Sequence, residues 1–89
     1  MIIKYAPPFL NILKKVNIRI RKRVKQQILV FSKNPYDPQL NNHELTREWK
    51  GFRSINITGD WRAIYTEKRL EEENIAYFVA LGTHDELYR

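Results

Sequence analysis

The spacing of apolar residues changes twice along this chain, from a short β-like run to a helical period and then to strict alternation. Ile2-Ile3-Lys4-Tyr5 is a brief β run, ended by Pro7-Pro8. Those prolines suit the first turn of a helix, where a missing N–H has no intrahelical partner to lose. Phe9, Leu10, Leu13 and Val16 recur at helical spacing, which predicts a short first helix. Asn17 is a break and an N-cap. Over residues 18–32, Ile20, Val24, Ile28 and Phe31 share one stripe of a second amphipathic helix. Asn34-Pro35-Tyr36-Asp37-Pro38 is a strong stop, with two prolines among turn-forming residues. Residues 39–50 read as an ordered loop holding His43 and Trp49.

The remainder alternates. In residues 52–57, Arg53, Ile55 and Ile57 fall on one face and Phe52, Ser54 and Asn56 on the other. Thr58-Gly59 predicts a tight turn, and residues 60–66 return as a second strand. The charged stretch 67–73 reads as a solvated hairpin tip. Ile75, Tyr77, Val79 and Leu81 alternate through a last strand before Gly82. The order is β-α-α-β-β-β: an α+β fold with two N-terminal helices packed on one face of a mainly antiparallel sheet. Eighty-nine residues are expected to form one domain, 1–89. Such a chain buries roughly 60–65% of its unfolded surface, a thin core. Four Phe, two Trp and five Tyr in a chain 43% hydrophobic are enough to fill it.

Composition narrows the function classes. Without cysteine there is neither a disulfide framework nor a thiolate metal site. No apolar run reaches the ~20 residues of a membrane span, and the start of the chain is too quickly broken by proline for a signal peptide. A cytoplasmic address and no membrane partner are the expectations. Sixteen Lys and Arg against ten Asp and Glu give a net charge of +6. Seven of those cations cluster in one segment: Lys14, Lys15, Arg19, Arg21, Lys22, Arg23 and Lys25. Such a cluster attracts polyanions through counterion release. A merely solvated helix face, or an anchor for anionic lipid, has the same signature, and charge does not separate RNA from DNA.

Two histidines stand outside any core pattern: His43 in the loop and His84 after Gly82-Thr83. Asp60 and Arg62 begin the middle hairpin strand. If the last strand pairs antiparallel with 60–66, His84 returns beside Asp60. These side chains suit RNA cleavage, in which the 2′-hydroxyl attacks the adjacent phosphorus. A base removes that proton, an acid protonates the leaving 5′-oxygen, and cations stabilise the phosphorane. Imidazole serves as either acid or base near neutrality, and Arg62 and Arg53 offer forks for phosphate oxygens. Trp49, Tyr65 and Tyr88 are candidates to stack on an unpaired base. Plainer readings compete: loop histidines that are only exposed, Asp60 as a turn residue, Trp61 and Tyr65 as core, solvated arginines. With no close-spaced ligand pair and no cysteine, no metal site is expected.

The wording of the chain adds to its chemistry. Asn34-Pro35-Tyr36-Asp37-Pro38-Gln39-Leu40-Asn41-Asn42-His43-Glu44-Leu45 is followed by Trp49-Lys50-Gly51-Phe52-Arg53-Ser54. Then come Gly59-Asp60-Trp61-Arg62-Ala63-Ile64-Tyr65 and Gly82-Thr83-His84-Asp85-Glu86-Leu87-Tyr88. This ordered series, over residues 34–88, resembles RelE/ParE-superfamily toxins, and in particular the YafQ-like branch of mRNA interferases. The resemblance implies a toxin that enters the ribosomal A site, binds rRNA and cuts mRNA there without metal or cofactor. It also implies a cognate antitoxin. Carried over by position, His84 matches the favoured general acid, Asp60 the base or orienting group, and His43 the loop histidine. Tyr88 matches a terminal aromatic that contacts RNA. Arg62, Arg53, Lys50 and Asn56 are the remaining candidates to bind RNA or phosphate. One departure stands out: where the YafQ-like pattern usually has a second histidine, this chain has Asn56, which cannot exchange protons near neutral pH. Two other readings remain open: a ParE-like gyrase inhibitor, or a catalytically inactive RelE-like module that binds RNA or antitoxin.

Overall fold

A computed structural model of the protein describes residues 1–88. Strand β1 (Ile2–Tyr5) passes through Ala6 into helix α1 (Pro7–Lys15), with proline in its first turn as the sequence requires. Helix α2 (Ile18–Lys33) follows, and the Asn17 side chain caps it by accepting from the Ile20 N–H at 3.0 Å. A further cap is less obvious. The carbonyls that end α1 lack intrahelical donors, and the Arg21 guanidinium reaches back to Leu13 (3.2 Å), Lys14 (3.0 Å) and Val16 (3.2 Å).

The expected loop 39–50 is more ordered than its sequence suggests. It holds two single 3₁₀ turns, Pro38–Leu40 and Arg47–Trp49, around a two-residue edge strand β2 (His43–Glu44). β3 (Arg53–Asn56), β4 (Trp61–Leu70) and β5 (Glu73–Thr83) form the antiparallel meander. The charged tip is only the two residues between β4 and β5, because charged and polar side chains on a two-stranded ribbon lie in solvent without breaking its ladder. A short helix α3 (His84–Leu87), too brief to show a period, ends the described chain. The sheet order is β1-β5-β4-β3-β2, with β1 parallel to β5 and every other pair antiparallel.

Helices α1 and α2 cover one face of this sheet. Phe9, Val24 and Phe31 meet Ile55, Ile57, Ala63, Tyr65, Ala76, Phe78 and Leu81 there, all buried. Phe78 is the hub, with ring centroids 5.7 Å from Phe9, 5.3 Å from Phe31 and 5.1 Å from Tyr65. Such pairs contribute about 0.5–1.5 kcal/mol each beyond area burial. Period-two alternation places Ile75, Tyr77, Val79 and Leu81 on one face, but only Leu81 joins the helix-side core. The register explains why: Ile64 pairs with Ala80 and Tyr65 with Phe78, so Val79 is the extra residue of a β-bulge. The bulge reverses the strand's parity and lets Phe78 and Leu81 face the same way. α3 packs on the opposite face, where a Cβ added to Gly82 would lie 3.3 Å from the Leu87 side chain. Among the described residues no helix is long and apolar enough to cross a membrane.

Candidate active site

Antiparallel pairing of β4 with β5 sets Trp61 opposite Thr83, and the next step of the ladder runs from the His84 N–H to the Asp60 carbonyl at 2.9 Å. His84 and Asp60 are therefore neighbours at one end of the central β4–β5 pair, as the expected strand pairing required. Both side chains are exposed. The Asp60 carboxylate has no partner among the described residues. His84 opens α3, whose N-cap Thr83 closes a capping box: its hydroxyl accepts from the Glu86 N–H while the Glu86 carboxylate accepts from the Thr83 N–H at 2.9 Å. The imidazole lies edge-on to the Tyr88 ring, centroids 4.6 Å apart. Its Nδ1 is 3.9 Å from the Asp85 carboxylate, but both side chains are largely solvated and the pairing is weak.

Asp60 owes its placement to the turn beneath it. The Thr58 hydroxyl accepts from the N–H groups of Asp60 (3.3 Å) and Trp61 (3.0 Å). The Arg62 guanidinium donates to the carbonyls of Thr58 (2.9 Å), Trp61 (3.0 Å) and Gly59 (3.1 Å). Arg62 thus braces the turn that carries Asp60, a role its sequence position does not disclose. Arg62 also pairs across the ladder with Asn56 on one side and Gly82 on the other. The Asn56 carbonyl accepts from Gln27 of α2 at 3.0 Å, while its side-chain Oδ1 is buried without a partner among the described residues. Gln27, almost fully buried, is a polar link between helix layer and site that no motif signals.

His43 sits opposite Ser54 on β2. Strands β3 and β4 separate it from β5, roughly 14 Å across the sheet at normal strand spacing. No hydrogen bond or ring contact joins it to Asp60 or His84. Its Nδ1 lies 2.8 Å from the Asn41 carbonyl, and since a carbonyl only accepts, Nδ1 carries the hydrogen. Neutral His43 therefore presents a free Nε2 lone pair to solvent. Asn41 adopts a left-handed backbone, φ 47°, which asparagine tolerates and which turns its carbonyl toward the ring.

The structure does not bring Arg53 to this group. It pairs with Tyr65 on the helix-facing side, opposite to Asn56. There it donates to Asn42 Oδ1 (2.8 Å), approaches Glu44 (3.4 Å) and lies over the Tyr36 ring (5.5 Å). Asn42 in turn donates to the Tyr65 hydroxyl at 2.7 Å. Burial raises the Tyr65 phenol above its ordinary range, and the Asn42 hydrogen bond offsets part of that shift. Lys50 is exposed in the same region. Tyr65 is core, not a stacking surface. Trp49 donates its indole N–H to the Leu87 carbonyl at 2.8 Å, tying the second 3₁₀ turn to the end of α3. Tyr88 packs beside it with a buried hydroxyl that has no partner among the described residues. In the basic segment Lys14, Lys15, Arg19, Lys22, Arg23 and Lys25 are exposed, whereas Arg21 is half-buried by its capping role. Among the described residues no three His, Cys, Asp or Glu side chains gather to hold a metal ion.

Comparison with known proteins places this geometry. YafQ from E. coli strain BL21(DE3) superposes with a TM-score of 0.77 at 25% identity, over 98% of this chain and 97% of that one. The E. coli DinJ-YafQ complex matches over the same shares, with a TM-score of 0.62 at 25% identity. The YoeB/ParE toxin from Agrobacterium tumefaciens shares the fold, with a TM-score of 0.75 at 15% identity over 94% of this chain and 99% of that one. No curated protein sequence matches the chain. The family described as the bacterial toxin of type II toxin-antitoxin system, YafQ, matches residues 3–89, and the chain belongs to that family.

Proposed function

We propose that this toxin is an endoribonuclease that cuts mRNA in the ribosomal A site by metal-independent transesterification, and that a cognate antitoxin restrains it in the cytoplasm. The observation that carries this reading is the adjacency of His84 and Asp60, fixed by the 2.9 Å backbone hydrogen bond with both side chains left open to solvent. An acid and a base so placed flank one phosphodiester. Asp60 accepts the 2′-hydroxyl proton, or orients the group that does, as the 2′-oxygen bonds to phosphorus. The P–O5′ bond breaks, and His84 delivers a proton to the leaving 5′-oxygen. The products are a 2′,3′-cyclic phosphate and a 5′-hydroxyl. His43 lies farther off on the β2 edge, and its free Nε2 suits a second proton acceptor or a contact to RNA. Asn56 offers its amide to a phosphate or ribose oxygen, and Tyr88 a ring beside the imidazole. The exposed cations of α1 and α2 supply the sequence-independent attraction to rRNA. The antitoxin is supported by the DinJ-YafQ complex, in which a similar chain is held by its partner.

The test is induced expression with mapping of mRNA 5′-ends in translating and translation-blocked cells. Cuts that require translation and vanish with His84→Ala are the expected result. Intact mRNA alongside arrested replication would instead identify a gyrase inhibitor and refute the reading.

A further inference from the structure

A cavity of about 530 Å³ opens beside β2 and β3, away from the His84–Asp60 pair, within the roughly 300–1,000 Å³ range of small-ligand sites. Its wall includes Tyr36, Arg47, Lys50, Phe52, Arg53 and Glu67. Tyr36 is 58% exposed in a core-rich domain, and the Arg53 guanidinium packs 5.5 Å from its ring centroid. Arg53 is itself fixed by Asn42 and Glu44, so the ring is held from behind rather than left loose. Arg47 and Lys50 make no side-chain hydrogen bond or ion pair among the described residues. Arg47 also holds a left-handed backbone, φ 57°, which costs energy in a non-glycine residue and fits a side chain positioned for a ligand. The Glu67 carboxylate, likewise unpartnered, is an acceptor in the same wall.

A second cavity adjoins the first. Leu45, Thr46 and Arg47 line both, and Tyr88 lines the second. Because the Tyr88 ring contacts His84, a continuous surface runs from the large cavity to the candidate acid.

We propose that the large cavity is a nucleotide subsite for single-stranded RNA, taking a residue of the strand that flanks the one cut at His84. The base stacks on Tyr36, Arg47 and Lys50 meet a backbone phosphate, and Glu67 accepts from an exocyclic amino group of the base. An aromatic platform combined with unpaired cations is what unpaired nucleic acid requires, whereas an acidic peptide would use the cations and leave the ring without a role. The inference rests on the reading that RNA is the substrate, and it adds a site that neither the histidines nor the basic helices identify.

The probe is a fluorescent cytidine hexanucleotide with 2′-O-methyl groups, which binds but cannot be cut, titrated into the purified toxin and followed by anisotropy. Tyr36→Ala and the pair Arg47→Gln with Lys50→Gln should each weaken binding about tenfold, the scale of one lost stacking or phosphate contact. Tyr36→Phe should bind as the parent protein does. His84→Ala should keep the affinity within about twofold while losing cleavage. Two results would overturn the subsite: pocket variants that bind the hexanucleotide like the parent, or a polyglutamate peptide binding in a Tyr36-independent way where the hexanucleotide does not bind. Cleavage that survives His84→Ala would overturn the assignment of the acid and leave the subsite standing, so the two failures are distinct.

Discussion

Arg62 is where two roles make opposite predictions. As a phosphate contact it would act through its charge. As the structure has it, one guanidinium satisfies three carbonyls of the turn that carries Asp60, at 2.9, 3.0 and 3.1 Å. A hydrogen bond to a charged donor is worth about 1.5–3 kcal/mol when well buried. This turn is at the surface, and its carbonyls can rehydrate, so the three together are worth roughly that amount for the whole set. Lysine at this position keeps the charge but supplies one compact ammonium that cannot span three diverging acceptors. Arg62→Lys should therefore lose most of the contribution. In a domain of this size 1 kcal/mol corresponds to about 4–8 °C, so a fall in Tm of about 10 °C is expected by circular dichroism. Cleavage should fall further than folding: a displacement of Asp60 by about 1 Å can cost 100-fold in rate. The measurement is thermal melting beside single-turnover cleavage on programmed ribosomes, well below the melting range. If Arg62→Lys melts with the parent and cleaves normally, while Arg62→Ala loses only RNA affinity, the bracing role is wrong and the phosphate role right.

Arg21 follows the same logic: Arg21→Met should lower stability to urea by about 1–2 kcal/mol by exposing the α1 carbonyls, while Arg19→Met, at an exposed cation with no such bonds, should leave the urea midpoint in place. Burial raises Tyr65 and Tyr5 above the ordinary phenol value of 10.0, so the folded state holds their protons after the unfolded state has released them. That stability is complete below pH 10, and it should decline as pH rises through the folded values. Urea midpoints taken at increasing alkaline pH should show a smaller decline in Tyr65→Phe. Asn56→His restores the residue the YafQ-like pattern usually carries, beside Arg62 in the ladder, and should raise the rate of cleavage on ribosomes. An unchanged rate would mean that the proton transfers need no group at that position.

What was legible in the sequence was whatever depends on local pattern. Pro7, Asn17 and the Asn34–Pro38 stop punctuate the helices where they in fact begin and end, because capping and proline geometry act over a few residues. The same holds for the inward side of β3 and the residue just past it, where Ile55 and Ile57 alternate cleanly. Non-local features were hidden. The bulge at Val79 depends on the partner strand, so the alternation Ile75-Tyr77-Val79 points at the wrong face. β2 exists only because β3 offers His43 and Glu44 a ladder. At the site, the pairing of His84 with Asp60 was inferable from strand order, whereas the diversion of Arg53 to Asn42, Glu44 and Tyr36 was not. A strand shows which residues share a face, but not which cation will find a buried acceptor first.

These differences separate the residues proposed to do the chemistry from those that hold them. The Asp60 carboxylate and the His84 imidazole contribute little to the fold: among the described residues one has no partner, the other only a ring edge and a distant carboxylate. Their positions come from backbone, the turn braced by Thr58 and Arg62 on one side and the Thr83–Glu86 capping box on the other. A site built this way leaves both reactive groups solvated and open to a large substrate, with no deep pocket to enter. It also places the cost of preorganisation in the residues that shape the turn and the cap. Substituting His84 or Asp60 should remove activity and spare stability, whereas substituting Thr58, Arg62 or Thr83 should lower both. Asn56 is the residue that crosses this division, because its backbone is held by Gln27 while its side-chain oxygen is buried and, among the described residues, unpartnered. An unsatisfied acceptor costs the protein about 1–3 kcal/mol, and because this oxygen is closed to solvent, a ribose hydroxyl would reach it only after the side chain turns outward.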